Sequence, residues 1–131
     1  MSRKKPTTRR KVRDHSQRPS SIALCMIVKD EEDFIGQALE SVKGIAHQIV
    51  VVDTGSTDRT VEIAHEHGAE VHEFKWNDHF GDARNHALQF VRGDWVLILD
   101  ADEELMAGTC DDLRDDLNNA RALGLRIPLI N

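Results

Sequence analysis

The sequence predicts an α/β fold, a mostly parallel sheet flanked by helices. Three observations predict it. Apolar runs of strand length recur at Ile22–Val28, Ile49–Val52 and Val96–Leu99. Segments with helical spacing of apolar residues separate them. Two of the runs stop abruptly on aspartates, Asp53 and Asp100. Strands that alternate with helices of this length need right-handed crossovers, which make their neighbours parallel.

Ile22 to Val28 is a continuous apolar strand. Lys29-Asp30-Glu31-Glu32-Asp33 reads as a helix start, with Asp30 as cap and acids in the first turn, where the helix dipole favours them. Phe34, Ile35, Ala38, Leu39 and Val42 then fall on one helical face, and Gly44 ends that helix. Ile49 to Val52 is the second strand. Ser56, Thr57 and Asp58 supply polar caps for a helix through Val61 and Ala64 to a stop at Gly68. Ala69 to Phe74 alternates like a third strand, and a loop with Trp76-Asn77-Asp78 leads to a helix with Phe80, Ala83, Ala87, Leu88 and Val91 inward. Trp95 to Leu99 is the fourth strand, its aliphatic run expected to be buried on both faces. Leu113, Leu117 and Ala120 mark another helix, and Leu125 to Ile130 is a fifth strand whose Pro128 suggests an edge or an irregular end.

Length and charge bound the possibilities. A chain of 131 residues holds one domain with a modest core, and no apolar run is long enough to cross a bilayer. The net charge of −6 conceals an asymmetry, because residues 1–20 carry eight Lys/Arg against the single Asp14. The division is therefore a basic tail, 1–20, expected to be disordered, and an acidic body, 21–131. The tail has no apolar segment behind its charges, so it is expected to be neither a secretory signal nor an anchor. It is expected to be a solvated arm, or to touch anionic surfaces by charge without selecting a specific nucleic acid. The two cysteines, Cys25 and Cys110, form no zinc pattern or disulfide framework, and a reducing cytoplasm is the natural compartment.

The chemistry concentrates at Val96-Leu97-Ile98-Leu99-Asp100-Ala101-Asp102. An Asp-x-Asp pair after a strand equally serves to stop the strand and cap the next helix. The second strand, however, ends in the same manner on Asp53, followed by Thr54-Gly55-Ser56-Thr57-Asp58, so two buried strands bring acids to one edge. In open α/β sheets that edge binds ligands, and two hard oxygen donors there suit Mg²⁺ or Mn²⁺ shared with substrate phosphates. The turn after the first strand has no glycine, which excludes a dinucleotide fingerprint, and no Walker-type lysine motif occurs. An acidic edge repels a diphosphate unless a divalent cation stands between them, with Arg84 a candidate helper from the third helix. Trp76 and Trp95 are read as packing residues, although either has the face to stack on a base or sugar. The histidines read as exposed; His65 and His67 are two positions apart on a helix and do not face together.

Four blocks together resemble the family 2 glycosyltransferases: Cys25-Met26-Ile27-Val28-Lys29-Asp30-Glu31-Glu32, Val50 through Thr60, Ala83-Arg84-Asn85, and Gly93-Asp94-Trp95 through Asp100-Ala101-Asp102-Glu103. The similarity is to the bacterial branch often followed by tetratricopeptide repeats, and it covers about residues 21–131. It implies a GT-A fold and transfer of a sugar from a nucleotide-diphosphate donor, usually with inversion. It puts Val28, Lys29 and Glu32 beside the base and ribose and Asp53 near the base. Asp58 belongs to that pocket or caps a helix. Arg84 and Asn85 face the diphosphate side, Asp100 contacts the ribose or the metal, and Asp102 is the principal metal ligand. In the family the acceptor base and most of the acceptor pocket come from sequence beyond the fifth strand. The chain is thus expected to hold the donor-binding half, with the acceptor open. The alternatives are a truncated, non-catalytic nucleotide-sugar-binding or regulatory module and, less well supported, a nucleotidyltransferase, whose basic glycine-rich phosphate loop is missing here.

Overall fold

The computed structural model describes residues 21–106 and the short strand Leu129–Ile130. The basic tail, the helix expected around Leu113, Leu117 and Ala120, and residues 125–128 lie outside the described residues.

The order of elements is β1 (Ile22–Val28), α1 (Ile35–Ser41), β2 (Gln48–Asp53), α2 (Thr60–Glu66), β3 (Glu70–Glu73), α3 (Phe80–Leu88), β4 (Trp95–Ile98), β5 (Glu104–Leu105) and β6 (Leu129–Ile130). The first four strands form one parallel sheet in the order β3-β2-β1-β4. The chain therefore builds outward from β1 through β2 to β3, then returns to the other side of β1. Strand order reverses between β1 and β4, the place where such sheets open a crevice beyond their carboxyl ends. No helix among the described residues is long and apolar enough to cross a membrane.

The core has two layers. On one face Ile22, Leu24, Met26, Val28, Val51, Leu97 and Leu99 meet Ile35, Ala38, Leu39 and Val42 of α1 and Ala64 of α2. On the other, Cys25, Val50 and Val52 meet Ala87 of α3, with Phe74 and Phe90 alongside. Burial of these aliphatic faces is the main stabilising term. Trp95 packs against the first layer, as expected of a tryptophan beside a sheet.

The elements differ from expectation in four places. Helix α1 begins at Ile35, not at Asp30, because Asp30 has a left-handed backbone (φ +52°), whereas a helix cap needs an extended one. Phe34 is 54% exposed and does not share the buried face of Ile35, Ala38 and Leu39. In α3, Ala83 and Ala87 are buried, but Phe80 and Leu88 remain outside. Strand β4 is covered on one face: Leu97 is buried, while Val96 and Ile98 are 39% and 45% exposed among the described residues. The reason is positional, since α3 lies over β1 and β2 and β4 is the outer strand. Finally, the expected fifth strand is represented by Leu129–Ile130, which pairs antiparallel with Glu104–Leu105 outside the main sheet.

Two glycines have definite roles. Gly68 (φ +79°) ends α2, its amide donating to His65 and the next amide, of Ala69, reaching back to Ala64, so the last carbonyls of the helix are satisfied. Gly93 lies under His47, whose ring nitrogens reach the carbonyls of Ile22 and Arg92. A Cβ at Gly93 would stand 2.9 Å from the His47 Cε1 atom. Beside it, Asp94 accepts from the amide and hydroxyl of Ser21 and its own amide donates to that hydroxyl, pinning the starts of β1 and β4 together.

Candidate functional site

Parallel register sets the site. Val28 at the end of β1 is aligned with Asp53 at the end of β2, and Cys25 with Ile98 near the end of β4. The segments 29–34, 54–60 and 99–103 therefore leave the sheet at one edge.

The β2 end is the most constrained. Asp53 is 6% exposed, and its carboxylate accepts the amides of Gly55 (3.3 Å) and Ser56 (3.2 Å), folding the chain back over the strand end. Gly55, at φ +116°, permits that turn. Thr54 donates through both its amide and its hydroxyl to the Val28 carbonyl at 3.0 Å, which joins the β1 and β2 ends. Lys29 is exposed just beyond that junction.

At the β4 end, side chains alternate. Ala101 is buried in the main core, so Asp100 and Asp102 on either side of it point outward and are exposed. Asp100 is held in a tight turn: its amide donates to the Glu103 carboxylate (2.9 Å) and its carbonyl accepts from the Glu103 amide (3.0 Å). Glu31, from the β1 side, senses this end. Its carboxyl is held above the ordinary range by burial first, and then by the negative charges of Asp102, Asp100 and Asp58. Glu31 links the β1 and β4 edges electrostatically, a part the sequence did not reveal because Glu31 there reads as a first-turn helix acid.

Glu32 and Asp58 face each other across the β1 and β2 loops. The Glu32 amide donates to Asp58 (3.2 Å), and the Glu32 carboxylate accepts the Arg59 amide (3.0 Å). Asp58 also takes the amide (2.9 Å) and hydroxyl of Thr60 at the start of α2. Burial raises the Asp58 carboxyl, but the hydrogen bonds from Thr60 and Glu32 outweigh it and leave the group below its usual value.

Arg84 and Asn85 stand on α3, away from these loops in sequence. Asn85 is exposed. The Arg84 guanidinium lies 5.0 Å from the Phe80 ring centroid, and its Nε is buried without a hydrogen-bond partner. Its charge is felt at Cys25, where burial raises the thiol and Arg84 opposes that rise. Trp76 is open to solvent, its indole donating to Asp78 at 3.1 Å. Among the histidines, His86 sits between Phe74 and Phe90, and His72 stacks on Phe90 at 3.5 Å. That aromatic ladder was invisible in sequence because its members come from β3, the residue just after it, α3 and the turn after α3.

The donor set suits a divalent cation in a particular way. Asp100 and Asp102 are hard oxygen donors, exposed on either side of the buried Ala101. Among the described residues, however, no group of three or more ligating side chains is assembled around one point. An ion held by one or two carboxylates and completed by substrate phosphates and water is how Mg²⁺ and Mn²⁺ commonly bind, so the residues fit a substrate-bridged ion better than an all-protein cage.

Comparisons with known proteins agree with this architecture. The profile of Glycosyl transferase family 2 matches residues 23–127. A TPR repeat-containing protein of Synechococcus elongatus is 44% identical over 108 residues, covering 82% of this chain and 27% of that protein. An uncharacterized glycosyltransferase of Rickettsia bellii is 38% identical over 112 residues, 83% of this chain and 38% of its own. Among solved structures, glucosyl-3-phosphoglycerate synthase from Mycobacterium tuberculosis, in complex with Mn²⁺, uridine diphosphate and glucosyl-3-phosphoglycerate, superposes with a TM-score of 0.57. It is 25% identical and covers 64% of this chain and 34% of that one. The fold is thus that of the GT-A transferases, and the chain belongs to the family 2 glycosyltransferases. It spans 27% and 38% of the length of these two relatives.

Proposed function

We propose that residues 21–131 form the donor side of a metal-assisted glycosyltransferase, which binds a nucleotide-diphosphate sugar and presents its anomeric carbon to an acceptor hydroxyl. The observation that carries this reading is the convergence of the β1, β2 and β4 carboxyl ends, with Asp100 and Asp102 beside the strand-order reversal between β1 and β4 and Asp53 one strand away. Lys29 and the Val28 end of β1 would line the base and ribose with Asp53, and Glu32 and Asp58 would shape the rim beside them. Arg84 and Asn85 would face the diphosphate; an arginine with a buried, unpartnered Nε suits an anionic group. Asp102, with Asp100, would hold the divalent cation, Mn²⁺ or Mg²⁺. When bound, that ion neutralises negative charge on the leaving diphosphate. The chain's own part is to orient the nucleotide and to keep its carboxylates aimed at one edge. A cytoplasmic setting fits the buried free thiol of Cys25.

Calorimetric titration with UDP, GDP and their sugars, in Mn²⁺, Mg²⁺ or EDTA, tests the reading. Saturable diphosphate binding that weakens on chelation is expected. Failure of every nucleoside diphosphate to bind under all three conditions would overturn it.

A further inference from the structure

The segments after β1 and β2 are stitched by bonds that run from the main chain of one to a side chain of the other. The Asp30 amide donates to Ser56 Oγ (2.9 Å), the Glu31 amide to Thr60 Oγ1 (2.8 Å) and the Glu32 amide to Asp58 Oδ2 (3.2 Å). In return, the Thr57 amide donates to Asp30 Oδ1 (2.7 Å) and the Arg59 amide to Glu32 Oε1 (3.0 Å). Asp30 adopts φ +52° to do this. A non-glycine residue keeps that backbone where its surroundings over-determine it.

We propose that Asp30 and Asp58 are positioning residues, whose bonds to Thr57, Glu32 and Thr60 lock the two loops into one preformed rim that holds the donor nucleotide. The proposal rests on the donor-site reading above. Asp53 spends its carboxylate on the Gly55 and Ser56 amides, so its orientation follows the shape of the 54–60 loop. Asp30 fixes that loop one residue further on, at Thr57, and Asp58 ties its end both to α2 and to Glu32. A rim whose amides are already satisfied has little left to order when a ligand arrives. Breaking the lock lowers the fraction of protein with a competent rim, and the apparent affinity falls by that fraction though no ligand contact is lost.

Three substitutions of Asp30 separate the lock from other roles. Asp30→Gly tolerates φ +52° but removes the acceptor. Asp30→Asn keeps an acceptor oxygen and tolerates the backbone but lacks charge. Asp30→Ala loses both the acceptor and the easy backbone. Amide exchange by NMR on the nucleotide-free 131-residue chain, with calorimetry for UDP in Mn²⁺, reads the outcome. The Thr57, Arg59 and Glu32 amides should be protected in the parent. In Asp30→Gly the Thr57 amide should exchange at least about tenfold faster and UDP should bind about tenfold more weakly, with Asp30→Ala worse and Asp30→Asn within about twofold of the parent on both readouts. Asp58→Ala should expose the Glu32 amide and weaken UDP in the same direction. Asp30→Gly binding UDP like the parent would overturn the proposal. Asp30→Asn as weak as Asp30→Gly would also overturn it, because the charge itself would then be in use. A parent chain with protected amides that binds no nucleotide would instead remove the donor-site reading, and the positioning role with it.

Discussion

Glu31, in the segment after β1, and Asp102, in the segment after β4, repel each other across the sheet edge. Glu31 is partly buried, and that burial, with the charges of Asp102, Asp100 and Asp58, holds its carboxyl above the ordinary value of 4.5. A raised acid binds its proton more tightly in the folded chain than in the unfolded one. Its ionisation therefore costs stability as pH climbs from 4.5 to the folded value, and the cost stays constant above that. In metal-free buffer Glu31→Gln should raise the melting temperature at pH 7, and the gain should vanish below pH 4.5. Thermal melts across pH check both limbs, and a gain that persists in acid would place its origin elsewhere.

Asp102→Asn should weaken Mn²⁺-dependent UDP binding on the order of a hundredfold, a typical size for damage to a metal site. The fold should stand, because Asp102 is exposed and its replacement opens no cavity. Asp53→Asn should instead weaken UDP with or without metal, since that carboxylate shapes the loop through the Gly55 and Ser56 amides. Calorimetry in Mn²⁺ and in EDTA separates the two, and equal losses in both buffers for Asp102→Asn would refute its metal assignment.

How far the sequence could be read depends on where each side chain's partner lies. β1 was legible in full because seven apolar residues in a row allow little else. The start of α1 was not, since acids ahead of an apolar stripe look like a cap. Here Asp30 bonds Thr57, 27 positions away, and no local rule sees that distance. The aliphatic run of β4 has the same appearance whether one face or both are covered. The acidic edge was legible because strand ends announce it, whereas the approach of Glu31 to Asp102 depends on strand order, which the sequence does not spell out.

Glu70 offers a second pH test, of opposite sign. The hydrogen bond from His72 (2.7 Å), then that from Gln48 (3.1 Å), pulls its carboxyl down, with help from Arg92. A depressed acid stabilises the fold above its unfolded value of 4.5, and that contribution is lost as pH falls through the folded value. Glu70→Gln should cost about 1 kcal/mol at pH 7 after allowance for solvent screening, with the difference closing in acid. Urea unfolding at about pH 7 and in acid near the folded value measures it, and a pH-independent difference would contradict the assignment.

Gly93→Ala should destabilise by about 1–3 kcal/mol, because the new methyl meets a His47 ring that is seated between the Ile22 and Arg92 carbonyls. Gly44→Ala, with nothing within 4 Å of the added carbon, is the control and should be close to neutral. Denaturant midpoints of the pair check the contrast; equal midpoints would mean that the His47 bridge yields freely.

The return of the chain to β1 also orders its assembly in time. The β1–β2 junction, from Ile22 to His47, closes over 25 residues, while the Ser21–Asp94 clasp that seats β4 closes over 73. Loop-closure entropy favours the nearer pairing, and β4 joins a surface that β1 and β2 have already built. Until then the free edge of β1 is an unsatisfied row of amides and carbonyls, so the interval before β4 docks is when a newly made chain is most exposed to mispairing with its neighbours.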